Sequence, residues 1–214
     1  MRAVIRPVPQ GLVALTAAVA VMLTGCSGGG KPTSEQCQTV PVQLADVPTR
    51  TDQEPKMKVP LPPGWERTTK MDNESIRFAI RNPALSADGF TPNAVVTLQK
   101  IGLDVGKPSQ ILDAQNDQLA KKLKATDLKS TPTEVCGAPA LSSTYTAPEM
   151  KISPNPKIPV VPSRKATSLG AVYRGEDANY VATLTVQSVK PDDKVFVQDA
   201  QTILKGFQLL PPKS

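Results

Sequence analysis

The stretch ESIRFAIR sets Ile76, Phe78 and Ile80 against Arg77, Ala79 and Arg81, the period-two alternation of a strand buried on one face. Arg81-Asn82-Pro83 ends it. AVVTLQKI, from Ala94 to Ile101, is β-branched and predicts another strand. MKVPLPPGW, from Met57 to Trp65, reads as a short edge strand broken by Pro60, because proline gives no N–H to a ladder. A tight Pro62-Pro63-Gly64 turn then presents Trp65. From Pro108 to Lys124 the period changes. Leu112, Leu119 and Leu123 share one helical face while Asp113, Asp117, Lys121 and Lys124 turn outward, and Pro108 or Ser109 suits the helix start.

LKSTPTEV and PALSSTYTA predict two strands on either side of Cys136-Gly137. Five prolines fall between Pro148 and Pro162, so that stretch is neither a helix nor a central strand. Arg164 to Tyr173 and Tyr180 to Val189 flank RGEDAN as a hairpin, with Tyr180, Ala182, Leu184 and Val186 on its inner face. A final helix is expected from Asp193 to Lys205, started by Asp192 or Asp193, stopped by Gly206, and facing inward through Phe196, Ala200, Ile203 and Phe207. FQLL then predicts a terminal strand. The sum is an α+β fold: one antiparallel β-sheet with two helices packed on it.

The opening of the chain has a different character. Arg2 and Arg6 precede Gly11 to Leu23, 13 residues without a charge. That run is too short to span a bilayer, which takes about 20 residues, and has the length of a signal-peptide core. It leads directly into Leu23-Thr24-Gly25-Cys26, which resembles the bacterial lipobox. In that pathway the Cys26 thiol takes a diacylglycerol, the preceding bond is cut, and the new amine is acylated. The expected organisation is a signal peptide over 1–25, a lipidated N-terminus and tether over 26–45, and one α+β domain over 46–214. The expected location is the outer face of a plasma membrane, held by the lipid at Cys26.

Cys37 and Cys136 then remain as an even pair in an oxidising compartment, and a disulfide is the natural reading. The alternatives are a metal site or a reactive thiol. Two cysteines in a chain without histidine make a poor metal site. With Cys37 tied down, the free tether shrinks to Ser27–Gln36, whose ten residues span roughly 17 Å as a flexible coil.

Charge narrows the partners only slightly. The formal net charge of +6 loses two arginines with residues 1–25 and becomes +4. One Trp, three Tyr and four Phe do not interleave with basic residues, so no nucleic-acid surface is expected. Lys121, Lys122 and Lys124, with Lys129 nearby, form the densest basic run. It suits an anionic lipid or cell-wall polymer, or is simply a solvated helix face. Trp65 is a contact residue beside a rigid turn, or a plug at one end of the core. The Pro148–Pro162 stretch is a preordered docking surface or a stiff connector.

The absence of histidine removes the Ser-His-Asp and Cys-His arrangements and the common zinc-enzyme ligand sets. No phosphate-binding glycine loop appears, and no cofactor or metal is expected. A Ser-Lys dyad stays open, although nothing singles out a pair.

VPLPPGWE, IRFAIRNP and AVVTLQKIG, followed by a helix and the closing ILKGFQLL, resemble the actinobacterial LpqN/LpqT-type lipoproteins, found chiefly in mycobacteria. The resemblance covers most of the chain after residue 55. It implies a fold similar to PsbP and Mog1, and an envelope lipoprotein that works by binding, with no catalytic residue to carry over. The expected function is therefore a non-catalytic, lipid-anchored binding or scaffold protein engaging an envelope protein near the membrane. The alternative is a carrier of an envelope lipid or other apolar ligand, and an exported hydrolase comes last.

Overall fold

A computed structural model describes residues 32–151 and 160–212. The signal segment, Cys26 and most of the tether lie outside these residues, as does the middle of the Pro148–Pro162 stretch. A seven-stranded antiparallel sheet forms the centre. Its strands are β3 (Glu66–Arg67), β4 (Ile76–Arg81), β5 (Asn93–Ile101), β6 (Thr126–Val135), β7 (Ala138–Ala147), β8 (Arg164–Arg174) and β9 (Asn179–Ser188), in the spatial order β3-β4-β5-β9-β8-β7-β6. A smaller antiparallel sheet joins β1 (Gln43–Val47), β2 (Lys56–Leu61) and β10 (Gln208–Leu210) in the order β1-β2-β10. The two helices are α1 (Pro108–Lys121) and α2 (Lys194–Lys205).

The alternation of the strands decides how these layers stack. Tyr180, Ala182, Leu184 and Val186 of β9 point to one face with Ala94, Val96 and Leu98 of β5 and Phe78 and Ile80 of β4. That face is closed by Phe196 and Ile203 of α2 and by Val47, Met57, Val59 and Leu209 of the small sheet. The opposite face carries Val172 and Val181, on which Ile111 and Leu112 of α1 pack, while Leu119 and Leu123 reach Tyr145, Ala147 and Ala166. Asp193 caps α2 as expected, its Oδ1 accepting the N–H groups of Val195 and Phe196 at 3.0 Å each.

Four expectations are corrected. First, Pro60 lies in the middle strand of the small sheet, not at an edge. β10 pairs only with Lys56–Lys58, so Pro60, opposite Leu44 of β1, sits where one neighbour has already ended.

Second, Arg77 turns inward. The register of β4 against β5 shifts between Ile76 and Phe78, and a bulge of this kind re-aims a side chain. Third, the domain begins before residue 46. The N–H of Thr33 donates to the carbonyl of Cys136 (3.2 Å), Cys37 is disulfide-bonded to Cys136, and β1 starts at Gln43. Residues 32–45 thus belong to the fold, because the cross-link ties them to the β6–β7 turn. α1 also ends at Lys121 rather than Lys124, and Lys124 takes a left-handed φ of 57° just beyond it.

Candidate functional site

Antiparallel register assigns every loop to one of the two ends of the large sheet. Ile101 pairs with Asn179 and Asn179 with Arg174, so the β5–α1 loop and the β8–β9 turn share an end. The β6–β7 turn at Cys136-Gly137 lies there too, since Ala140 pairs with Ala171. This is the tether end, for Thr33 bonds to Cys136 there.

At the far end Ala147 pairs with Arg164 and Thr126 with Thr146. The eleven residues of β8 separate the two ends by roughly 35 Å.

The lysine run sits at the far end. α1 descends from its start beside Ile101, and its last turn packs Leu119 and Leu123 on Tyr145, Ala147 and Ala166. Lys121, Lys122, Lys124 and Lys129 are all exposed. Lys121 Nζ pairs with Asp117 at 2.6 Å, an exposed i,i+4 pair of small energetic weight. The described parts of the Pro148–Pro162 stretch arrive at the same end, where Met150 and Val161 exchange two backbone hydrogen bonds of 2.9 Å. Met150 and Val160 are exposed there. Sequence spacing alone does not reveal this meeting of the lysines with the proline-rich stretch; the strand register does.

Trp65 does not join this exposed cluster. It is only 4% exposed, and its indole N–H donates to Asp199 Oδ2 of α2 at 2.8 Å. The Pro62-Pro63-Gly64 turn, with Gly64 at a φ of 83°, swings it onto the core. This is the core-plug arrangement, with the side chain turned away from solvent.

Cys136, disulfide-bonded to Cys37, borders an open groove of about 710 Å³. Gln36, Gln38, Thr133 and Val135 form its walls, with Leu204 and Phe207 beside them. Polar and apolar groups are mixed along it. Between α1 and the sheet, by contrast, only about 50 Å³ is open, room for a water or two. Polar groups bridge the layers there. Gln115 Nε2 donates to Thr183 Oγ1 (2.6 Å), and Asn116 Oδ1 accepts from the hydroxyls of Ser130 (3.1 Å) and Ser143 (2.9 Å).

Among the described residues no three His, Cys, Asp or Glu side chains are placed to hold a metal ion. A Ser-Lys dyad needs a lysine whose pKa is depressed. Lys100 moves the other way, raised because Asp177 accepts a 2.8 Å bond from its ammonium, and Asp177 is lowered in return. Asp127 is likewise lowered by hydrogen bonds from Thr146 and Lys165. Among the described residues no helix is long and apolar enough to cross a membrane.

Solved structures place this architecture in company. The chain is similar to LpqN of Mycobacterium tuberculosis, a protein described as involved in cell envelope biogenesis. The two are 14% identical with a TM-score of 0.59, over 86% of this chain and 100% of that one. Cyanobacterial PsbP from Synechocystis sp. PCC 6803 (14% identity, TM-score 0.46, 81% of this chain and 96% of that one) and the Ran-binding protein Mog1p of Saccharomyces cerevisiae (13%, 0.45, 79% and 97%) also align. No curated protein matches by sequence. The profile of the family described as probable lipoprotein LpqN matches residues 32–210, starting where the chain first touches the β6–β7 turn and ending with β10. The chain therefore belongs to the probable lipoprotein LpqN family.

Proposed function

We propose that this protein is a non-catalytic binding module of the cell envelope. In this reading Cys26 carries the lipid anchor, the tether end faces the outer leaflet of the plasma membrane, and the far end engages a protein partner. One observation carries the reading: Lys121, Lys122, Lys124 and the Met150–Val161 ladder gather at the end opposite the tether. Family membership and the envelope role given for the M. tuberculosis protein support the location.

The test is site-specific photo-crosslinking in the native host. A crosslinker at Lys122 is expected to capture one discrete protein, while a crosslinker at Thr133 in the groove captures none. Capture of no protein from Lys122, Lys124 or Met150 refutes the reading.

The groove beside the disulfide favours a second reading, a carrier of an apolar or amphipathic ligand, because its volume suits a small molecule. Native mass spectrometry of the gently purified protein separates the two. A reproducible extra mass removed by organic solvent, and lost in Thr133→Trp, supports the carrier. A bare mass supports protein binding.

A further inference from the structure

The β5–α1 loop, Gly102-Leu103-Asp104-Val105-Gly106, exposes two large apolar side chains in three residues. Leu103 is 54% exposed and Val105 53%. The loop is built to hold this display. Asn179 Nδ2 grips the Gly102 carbonyl at 3.0 Å, and Gln110 Oε1 accepts the Lys107 N–H at 2.9 Å. The Asp104 carboxylate lies back against Gly102, where a Cβ would meet its oxygen at 2.5 Å, so the acidic group folds toward the loop base. Gly106, at a φ of 107°, then turns the chain into α1.

The position of the loop names what covers it. It shares the sheet end with the β6–β7 turn, three strand spacings away, or roughly 14 Å. Only six residue steps separate Cys26 from Pro32, which reach at most roughly 20 Å. A domain anchored at Cys26 therefore brings this end within contact of the lipid surface. Met71, at the same end in the β3–β4 loop, is also exposed. The neighbouring charges balance: Lys100, Lys107 and Arg174 stand against Asp104, Glu176 and Asp177. A near-neutral rim around an apolar tip suits headgroup-level insertion driven by apolar burial, not attraction to anionic lipid.

We infer that Leu103 and Val105 form a membrane-seating tip: they insert at the headgroup boundary of the leaflet that holds the Cys26 lipid, and fix the domain's orientation on it. The inference rests on Cys26 being the anchor.

Val195 of α2 supplies a matched control. It is also 54% exposed but lies at the far end. The full-length lipidated protein, carrying Leu103→Trp or Val195→Trp, is reconstituted in phosphatidylcholine vesicles with brominated acyl chains. Trp65 is buried, so the parent protein provides the background. Insertion predicts that Leu103→Trp is quenched about twofold or more, in neutral and in anionic vesicles alike, while Val195→Trp stays at background.

If the protein floats with the vesicles and Leu103→Trp is quenched no more than Val195→Trp, the tip does not insert and the inference fails with the anchor intact. A blue shift of Leu103→Trp without bromolipid quenching assigns the tip to a protein neighbour and likewise overturns it. A protein that neither floats nor carries acyl mass at Cys26 sinks the anchor reading, and this inference with it.

Discussion

Arg77 and Glu54 meet inside the protein: Nη2 to Oε1 at 2.7 Å and Nη1 to Oε2 at 3.1 Å, with both side chains less than one-tenth exposed. Glu54 Oε2 also accepts the Arg50 N–H at 2.8 Å, so the pair pins the β1–β2 connection to β4. Charges this deep are tolerable only together. Glu54→Gln leaves the guanidinium without its counter-charge and is expected to cost about 3 kcal/mol, whereas replacing both residues by leucine costs far less. Urea unfolding followed by Trp65 fluorescence checks this; equal losses in the single and double variants would contradict it.

The disulfide closes a loop between residues 99 apart. Its removal by Cys37→Ser is expected to lower stability by about 2–4 kcal/mol, with about 4.7 as the ceiling of the chain-entropy account. Cys136 has a second duty. It and Gly137 form the two-residue β6–β7 turn at φ of 51° and 83°, the conformation in which asparagine is favoured and β-branched residues are strained. Cys136→Asn should therefore match Cys37→Ser in denaturant midpoint, and Cys136→Val should fall below both.

Trp65 donates to Asp199, tying the turn after β2 to α2. Trp65→Phe keeps most of the packing but loses that bond to a carboxylate, an expected cost of about 1–2 kcal/mol. Trp65→Ala also opens a cavity and should cost about 3–5 kcal/mol. Thermal melts rank the three proteins. A Trp65→Phe variant as stable as the parent would mean the hydrogen bond contributes nothing.

Tyr145, under α1, has its phenol raised above the usual 10.0 by burial, with Arg164 opposing the shift. The folded protein thus holds this proton to higher pH than the unfolded chain does. Stability from this group is fully present below pH 10 and is lost as pH rises from there through the folded value. Tyr145→Phe should flatten the alkaline decline in denaturant midpoint without changing the profile between pH 6 and 8. An unchanged alkaline slope would assign the decline to other groups.

Lys124 holds a left-handed backbone, φ 57°, where a glycine would sit without strain. Lys124→Gly is expected to stabilise by about 0.5–1 kcal/mol. Its neighbour Lys122, not left-handed, serves as the control, since Lys122→Gly should destabilise by a similar amount. The opposite order in melting temperature would refute the assignment.

Local patterning made much of this fold legible. The alternation in Tyr180–Val186 and the cap at Asp193 depend on neighbours in sequence, and each lies where that pattern places it. α1 starts at Pro108 as its pattern requires but ends three residues early. Arg77 was hidden because a bulge changes the face of a side chain without changing the sequence alternation. Pro60 was misplaced because centrality depends on where β10, 150 residues later in the chain, stops pairing. Trp65 offered two roles, and only the position of Asp199 on α2 selects between them. The gathering of Lys122 with Met150 at one end depends on register across four strands, which no single stretch encodes.

The strand direction has a consequence for height. In the proposed orientation, a domain standing on its tether end would carry Lys122 and Met150 about one strand length, roughly 35 Å, above the lipid surface. The seven-stranded sheet would then act as a fixed spacer, since a packed sheet resists compression and bending over that length. An integral membrane protein would have to rise that far from the bilayer to touch those residues. A partner moving freely in the space above would meet them first.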